Sequence, residues 1–281
     1  METETTGHSV NLLNNQLILS TTNIGDDNKG KFRSLENPRA GLRGNIWTST
    51  KIDNQLAPKN HVTFVSGNSL FFFGGDSKTQ SELGNDGKWT ILQFTVRTLT
   101  SNNPFDKFTS YACSVKIGDN KFLVLGGTHT KENGEESVLS DVFEVNTAEK
   151  TVEKVGEMNR GRTQHTCAVI SKSSFDQNGI KSYSRAILIS GGVSTTDDKD
   201  SIVTGVELFV YDSKESLDLE NSMVEPRFKH SMVQLGGEIF ALGGETKVGT
   251  TQSTEKFIFD EEASFEGLKS SGAWETSSTL R

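Results

Sequence analysis

Between Arg227 and Gly244 the chain reads RFKHSMVQLGGEIFALGG, alternating apolar and polar residues up to Leu235 before a compact apolar run, EIFAL. Alternation with period two predicts a half-buried strand, and the short apolar run predicts a second one. Gly236-Gly237 supplies the positive φ of a two-residue hairpin turn, and Gly243-Gly244 ends the second strand where a Cβ would block a sharp turn or close backbone approach. The pattern recurs. NQLILST (15–21), NSLFFFGG (68–75), NKFLVLGG (120–127), SRAILISGG (184–192) and GEIFALGG (237–244) align as the second strand of five copies. The pairs Gly74-Gly75, Gly126-Gly127, Gly191-Gly192 and Gly243-Gly244 begin 52, 65 and 52 residues apart. One upstream position carries His8, His61, Tyr111, His165 and His230, which in the four glycine-bearing copies lies 13, 15, 26 and 13 residues before the pair. The long spacing comes from SKSSFDQNGIKSY (171–183), a polar insertion of the kind hairpin loops tolerate.

Self-similarity at about 50 residues indicates a propeller or an array. Third strands are expected in WTILQFTV (89–96), SDVFEVN (140–146), VELFVYD (206–212) and EKFIFD (255–260), and fourth strands in KTVEKVGEM and ESLDLENSM. The whole unit resembles the kelch repeat. The resemblance rests on Arg162-x-x-His165 and Arg227-x-x-His230, the glycine pairs, an apolar strand near Tyr211-Asp212, and Trp47 and Trp274 at the family's tryptophan position. It covers essentially the whole chain, with copy one departing most because Ser20-Thr21 replaces the glycine pair. It implies an all-β fold, a kelch-type β-propeller of about five four-stranded antiparallel blades. One domain over 1–281 is expected, with copies at about 7–56, 60–104, 108–158, 163–225 and 228–281. Radial repetition of this kind leaves few long sheet edges exposed.

Composition agrees with many short strands between polar loops: 33% apolar residues, 27 glycines against 4 prolines, and a mean hydropathy of −0.46. A formal charge of −8 argues against a nucleic-acid partner, which generally demands a basic face. No apolar run is long enough for a transmembrane helix. METETTGHSV has neither the basic nor the apolar region of a secretory signal, so a cytoplasmic setting is expected. Cys113 and Cys167 each follow the Tyr111/His165 position by two, which makes them equivalent sites in adjacent copies. Equivalent sites on neighbouring blades should stand farther apart than the disulfide limit of about 7 Å, so both are expected as reduced, buried thiols.

Antiparallel connection places the loops after the second and fourth strands on one rim. In the kelch family that rim commonly binds a protein or peptide, which makes Lys107, Arg162, Arg227 and Arg281 candidate contacts for an acidic partner, with Asp76 and Glu245 beside them. Arginine suits carboxylate recognition through bidentate hydrogen bonds. The alternative reading of Arg162 and Arg227 is that they brace loops against neighbouring blades. His61, His165 and His230, spaced one per copy, cannot share one metal centre, and each is expected to hold a loop by a hydrogen bond. No cofactor or metal is expected, and the propeller is expected to be monomeric. Neither His-Glu-x-x-His nor Gly-x-Ser-x-Gly occurs, and the acidic run DDKD (197–200) lacks the EF-hand glycine and terminal Glu. The functional expectation is a kelch-repeat scaffold that recognises a partner through one rim. The alternative is a carbohydrate-active kelch enzyme, similar to sialic-acid epimerases, working through rim Arg and Glu residues.

Overall fold

The structure, a computed structural model, describes residues 61–75, 80–84, 88–92, 95–96, 109–131, 133–175, 178, 181–195 and 199–277, and in copy one the strands alone. Copy one forms a sheet of β1 (Thr5–Leu13), β2 (Gln16–Asn23), β3 (Gly30–Glu36) and β4 (Thr48–Lys51), paired in that order. Copy two repeats it with β5 (Val62–Ser66), β6 (Ser69–Phe73), β7 (Gln80–Leu83) and β8 (Trp89–Leu92). WTIL is therefore a fourth strand, correcting the expectation of a third. QSEL takes the third place, directly against β6, and β9 (Thr95–Val96) leaves the sheet to pair parallel with copy three.

Copy three adds β10 (Thr109–Ser110), β11 (Cys113–Lys116), β12 (Lys121–Leu125), β13 (Thr128–Thr130), β14 (Glu136–Val138), β15 (Asp141–Asn146) and β16 (Thr151–Glu157). Its main sheet runs β11-β12-β15-β16, with β13-β14 as a separate hairpin after the glycine pair. Copy four is β17 (Thr166–Phe175), β18 (Lys181–Ser190), β19 (Glu207–Val210) and β20 (Glu215–Asp218). Copy five is β21 (Ser231–Leu235), β22 (Glu238–Leu242), β25 (Thr254–Ile258) and β26 (Ala273–Thr276), with β23 (Glu245–Thr246) and β24 (Gly249–Thr250) as its post-glycine hairpin and α1 (Leu268–Ser271) before its last strand. The fold is thus all-β, built from repeated four-stranded antiparallel sheets, and no single sheet closes on itself. Among the described residues no helix is long and apolar enough to cross a membrane.

Both ends of the expected polar insertion at 171–183 are strand: β17 and β18 stay paired out to Phe175 and Lys181. Polar residues are compatible with pairing where a hairpin face meets solvent, and Ser171, Ser173 and Tyr183, which share one face, are exposed. The base of this arm is pinned to copy five by Lys172, whose amino group donates to the carbonyls of Asp260 (3.2 Å), Glu261 (3.0 Å) and Ala263.

Successive sheets stack face to face. Strand residues alternate between faces, so Val62, Phe64, Phe71 and Phe73 meet Phe122, Val124, Phe143 and Val145. The other face of copy three (Cys113, Val115, Leu123, Leu125) meets Ile187, Ile189 and Phe209 of copy four. Ala168, Ile170 and Leu188 in turn meet Ile239, Ala241, Phe257 and Trp274 of copy five. The first strands β5, β11, β17 and β21 lie side by side in that order, and among the described residues no comparable contact joins β21 to β1. On β21, Val233 (39% exposed) and Leu235 (63%) sit at the positions that Ala168 and Ile170 occupy in β17, where the following sheet buries them.

Register corrects the cysteine reading. The residue opposite the last position before the glycine pair is Val62, Cys113, Thr166 and Ser231 in copies two to five. Cys113 is therefore equivalent to Thr166, and Cys167 lies one residue farther along. Counting from Tyr111 misses this because the turn after β11 is one residue longer: the Ala112-to-Gly126 step is 14 residues, whereas His61-to-Gly74 is 13. A one-residue offset in a strand turns a side chain to the opposite face. Cys113 consequently faces copy four while Cys167 faces back toward copy three, and the two form a disulfide with Cα atoms 6.0 Å apart. The expectation of two reduced thiols is thereby overturned. Tyr111 is equivalent to Gln164 and Lys229, not to the histidines, and the three share a left-handed backbone at φ 56°, 58° and 55°.

Candidate functional site

The joints between copies are built from the Arg-x-x-His segment of one copy and the glycine pair of the copy before. Gly127 and Gly192 donate their N–H to the carbonyls of Arg162 (2.9 Å) and Arg227 (3.0 Å). Lys229 N–H donates to the Gln164 carbonyl and Gln164 N–H to that of Tyr111, linking three copies in sequence. The first glycine of each pair takes a left-handed backbone, with φ of 59° at Gly126 and 63° at Gly191, and the next copy lies directly over both. A Cβ on Gly126 would stand 2.6 Å from the Arg162 carbonyl oxygen, and one on Gly191 would stand 2.2 Å from that of Arg227. Gly74, Gly75, Gly127, Gly192, Gly243 and Gly244 share the positive φ.

The two arginines expected on a solvent rim are both completely buried. Arg162 donates to the carbonyls of Gly191 (3.2 Å) and Gly205 (3.0 Å) and forms an ion pair with Glu207. Arg227 donates to the carbonyls of Glu225, Gly243 and Ser253, each at 3.0 Å, and to Glu255 at 2.5 Å. The glutamates also accept from connector amides, Glu207 from Asn159 N–H (2.7 Å) and Glu255 from Val224 and Glu225 N–H (2.9 Å each). A completely buried guanidinium cannot meet a partner, and each of the two instead ties together the loop that follows the second strand of its own copy. Burial pulls the Arg162 guanidinium below its ordinary pKa; Glu207 opposes this, and the nearby charge of Arg160 adds to it.

His165 and His230 are buried too. His230 Nε2 lies 2.8 Å from Thr166 Oγ1 and 3.2 Å from Ser190 Oγ, so it bonds strand hydroxyls of copy four where a loop partner was expected. Burial first, and the Arg227 charge second, bring its pKa down to about 3. His165 is held well below the ordinary imidazole range by burial and by Arg162, and its ring nitrogens reach no partner at hydrogen-bond geometry. His61 packs its ring 5.1 Å from that of Phe72. Glu245 is half-buried and paired with Lys229 at 3.0 Å. Asp76, Lys107 and Arg281 lie outside the described residues.

Among the described residues, solvent-exposed polar groups gather between copies three and four. A cleft of ≈ 590 Å³ opens among Val138 of the β13-β14 hairpin, Arg160 and Gly161 of the connector, and Ser194, Ser201 and Thr204 of the loop after Gly192. Asp200 on its wall is paired with Lys247 of copy five at 2.6 Å. Arg160 is exposed, and among the described residues no carboxylate lies within ion-pair distance of it. Sequence reasoning missed Arg160, because its role depends on which neighbours fail to provide a counter-charge. It also missed Glu207 and Glu255. Their signal was available: both stand in Glu-x-Phe, and they accompany Arg162 and Arg227, whereas copy three has Thr109 and Phe143 at the two positions. No protein-family model and no curated protein matches the chain.

Proposed function

We propose that the chain is a kelch-type β-propeller that acts as a binding module, recognising a partner protein or peptide through the rim carrying the loops after the second and fourth strands. The repeated Arg-x-x-His and glycine-pair joints, and the face-to-face succession of four-stranded sheets, support the propeller part of this reading. The observation that carries the binding part is the cleft between copies three and four, whose ≈ 590 Å³ lies within the range of ligand sites. Hydroxyl groups and an exposed guanidinium line it, which suits recognition and supplies no nucleophile paired with a general base.

Peptides selected from a random display library against the full chain, followed by hydrogen exchange, test the reading. Protection is expected in 128–140, 193–206 and 245–253. Protection confined to the opposite turns, at Gly67, Gly118–Asn120 and Gly236–Gly237, would overturn it.

A further inference from the structure

Copies four and five carry opposite charges at one equivalent position, two residues before the buried arginine: Arg160 in one and Glu225 in the other. In copy five the Glu225 carboxylate is an internal ligand of the rim. It accepts from Ser253 Oγ at 2.6 Å, Thr251 Oγ1 at 2.8 Å and the Arg227 guanidinium at 3.3 Å. The two hydroxyl bonds, with Arg227 behind them, hold it below the ordinary carboxyl range.

Copy four keeps the buried arginine, Arg162, and lacks the carboxylate and both hydroxyls of this arrangement. Counting back from the paired glutamates, Ser253 and Thr251 correspond to Gly205 and Val203. The loops agree, since Thr251 N–H donates to the Gly244 carbonyl as Val203 N–H donates to that of Gly192. With no side chain at Gly205, the Arg160 guanidinium lies over it, 2.7 Å from where a Cβ would be. Buried beneath, Arg162 has one carboxylate partner, Glu207, where Arg227 has two, and its Nε has no acceptor. Copy four is one carboxylate short of copy five, and the shortfall borders the open cleft.

We propose that this cleft takes a carboxylate side chain from an acidic peptide, which pairs with Arg160 and is flanked by the hydroxyls of Ser194, Ser201 and Thr204. The inference rests on the rim-binding reading above and adds the chemistry of the ligand. Asp200 also lines the cleft, and Lys247 offsets its charge at 2.6 Å.

The test uses the full chain and a fluorescein-labelled hexaglutamate peptide at low salt, read by anisotropy. Saturable binding is expected, weakened at least tenfold by Arg160→Glu and by Arg160→Gln, with thermal melts unchanged because Arg160 is exposed. A hexalysine peptide should bind Arg160→Glu better than the wild type. Hexaglutamate binding that the two variants leave within twofold, or no saturable binding by the wild type, would overturn the proposal. If display-selected peptides still protect the rim while hexaglutamate fails, the carboxylate inference falls and the rim reading stands.

Discussion

The glycine pairs at 191–192 and 243–244 have the same sequence and nearly the same backbone, with φ of 63° and 87° against 59° and 101°. Their surroundings agree at the second glycine, where a Cβ would meet the Thr163 carbonyl at 2.6 Å in one copy and the equivalent Phe228 carbonyl at 2.7 Å in the other, and differ at the first. The Cβ position of Gly191 is occupied by the Arg227 carbonyl and the His230 ring, whereas at Gly243 only the Thr251 carbonyl of the same copy comes within 4 Å, at 3.5 Å. The left-handed backbone is thus set by the hairpin within each copy, and the contact it permits comes from the copy that follows. A glycine pair is a socket, and the Arg-x-x-His segment is what fills it. Copy five has the socket, and among the described residues nothing from a following copy is in it.

The largest effect should come from the filler. Removing Arg162 or Glu207 alone leaves a fully buried charge without its counter-ion, which costs about 3–5 kcal/mol. Copy three shows that the pair is dispensable as a pair, since Thr109 and Phe143 replace both members. Urea unfolding of Arg162→Ala, Glu207→Ala and the double variant should therefore be strongly non-additive, the double losing far less than the sum. Additive losses would show that the two side chains act independently of each other.

The disulfide comes next. It ties the joint between copies three and four covalently, while the joint between copies four and five has none. Cys113→Ala with Cys167→Ala should lower stability by about 2–4 kcal/mol, and reductant should change the wild-type melt but not that of the double variant. A wild-type melt indifferent to reductant would contradict the bridge.

How much of this was legible in the sequence follows from where each property is decided. Hairpins and glycine pairs are decided within about fifteen residues, by alternation and by the need for positive φ, so GEIFALGG announces itself. Lateral facing is decided by register, and one extra residue after β11 reversed the direction assigned to Cys167 relative to Cys113. Burial of Arg162 is decided by Glu207, a residue 45 positions away on another strand, so a motif that reads as a charged rim becomes an internal brace. The polar composition of 171–183 resembled a loop because Ser171, Lys172 and Ser173 put polar residues on both faces of the strand, which leaves no alternation to show.

The socket itself can be compared directly. Gly191→Ala combines positive-φ strain with a 2.2 Å approach to backbone and should cost about 3 kcal/mol. Gly243→Ala meets only the strain, about 1–2 kcal/mol. Chemical denaturation of both variants checks the difference. Equal losses would mean that the joint relaxes around the added methyl, or that the Gly243 socket is filled after all.

The smallest effect per step is a pH dependence, and it belongs to the filled sockets alone. His230 lies over Gly191 and His165 over Gly126, both buried and uncharged, with His230 drawn down to about 3 and His165 well below its ordinary range. The unfolded chain binds a proton at each near pH 6.5, whereas the folded chain does not until far lower. Stability is therefore fullest above pH 6.5 and falls as the pH drops toward 3. The fall approaches about 1.4 kcal/mol per pH unit for each histidine. Between pH 7 and 5 the carboxylates contribute little, which isolates the imidazoles. Urea melts of the wild type and of His230→Gln at pH 7, 6 and 5 measure the term. The variant should be less stable at pH 7, having lost the Thr166 and Ser190 contacts, yet lose less on acidification. Parallel pH slopes in the two proteins would show that His230 is free to take up a proton in the folded state, and the joint between copies four and five would then be open to water.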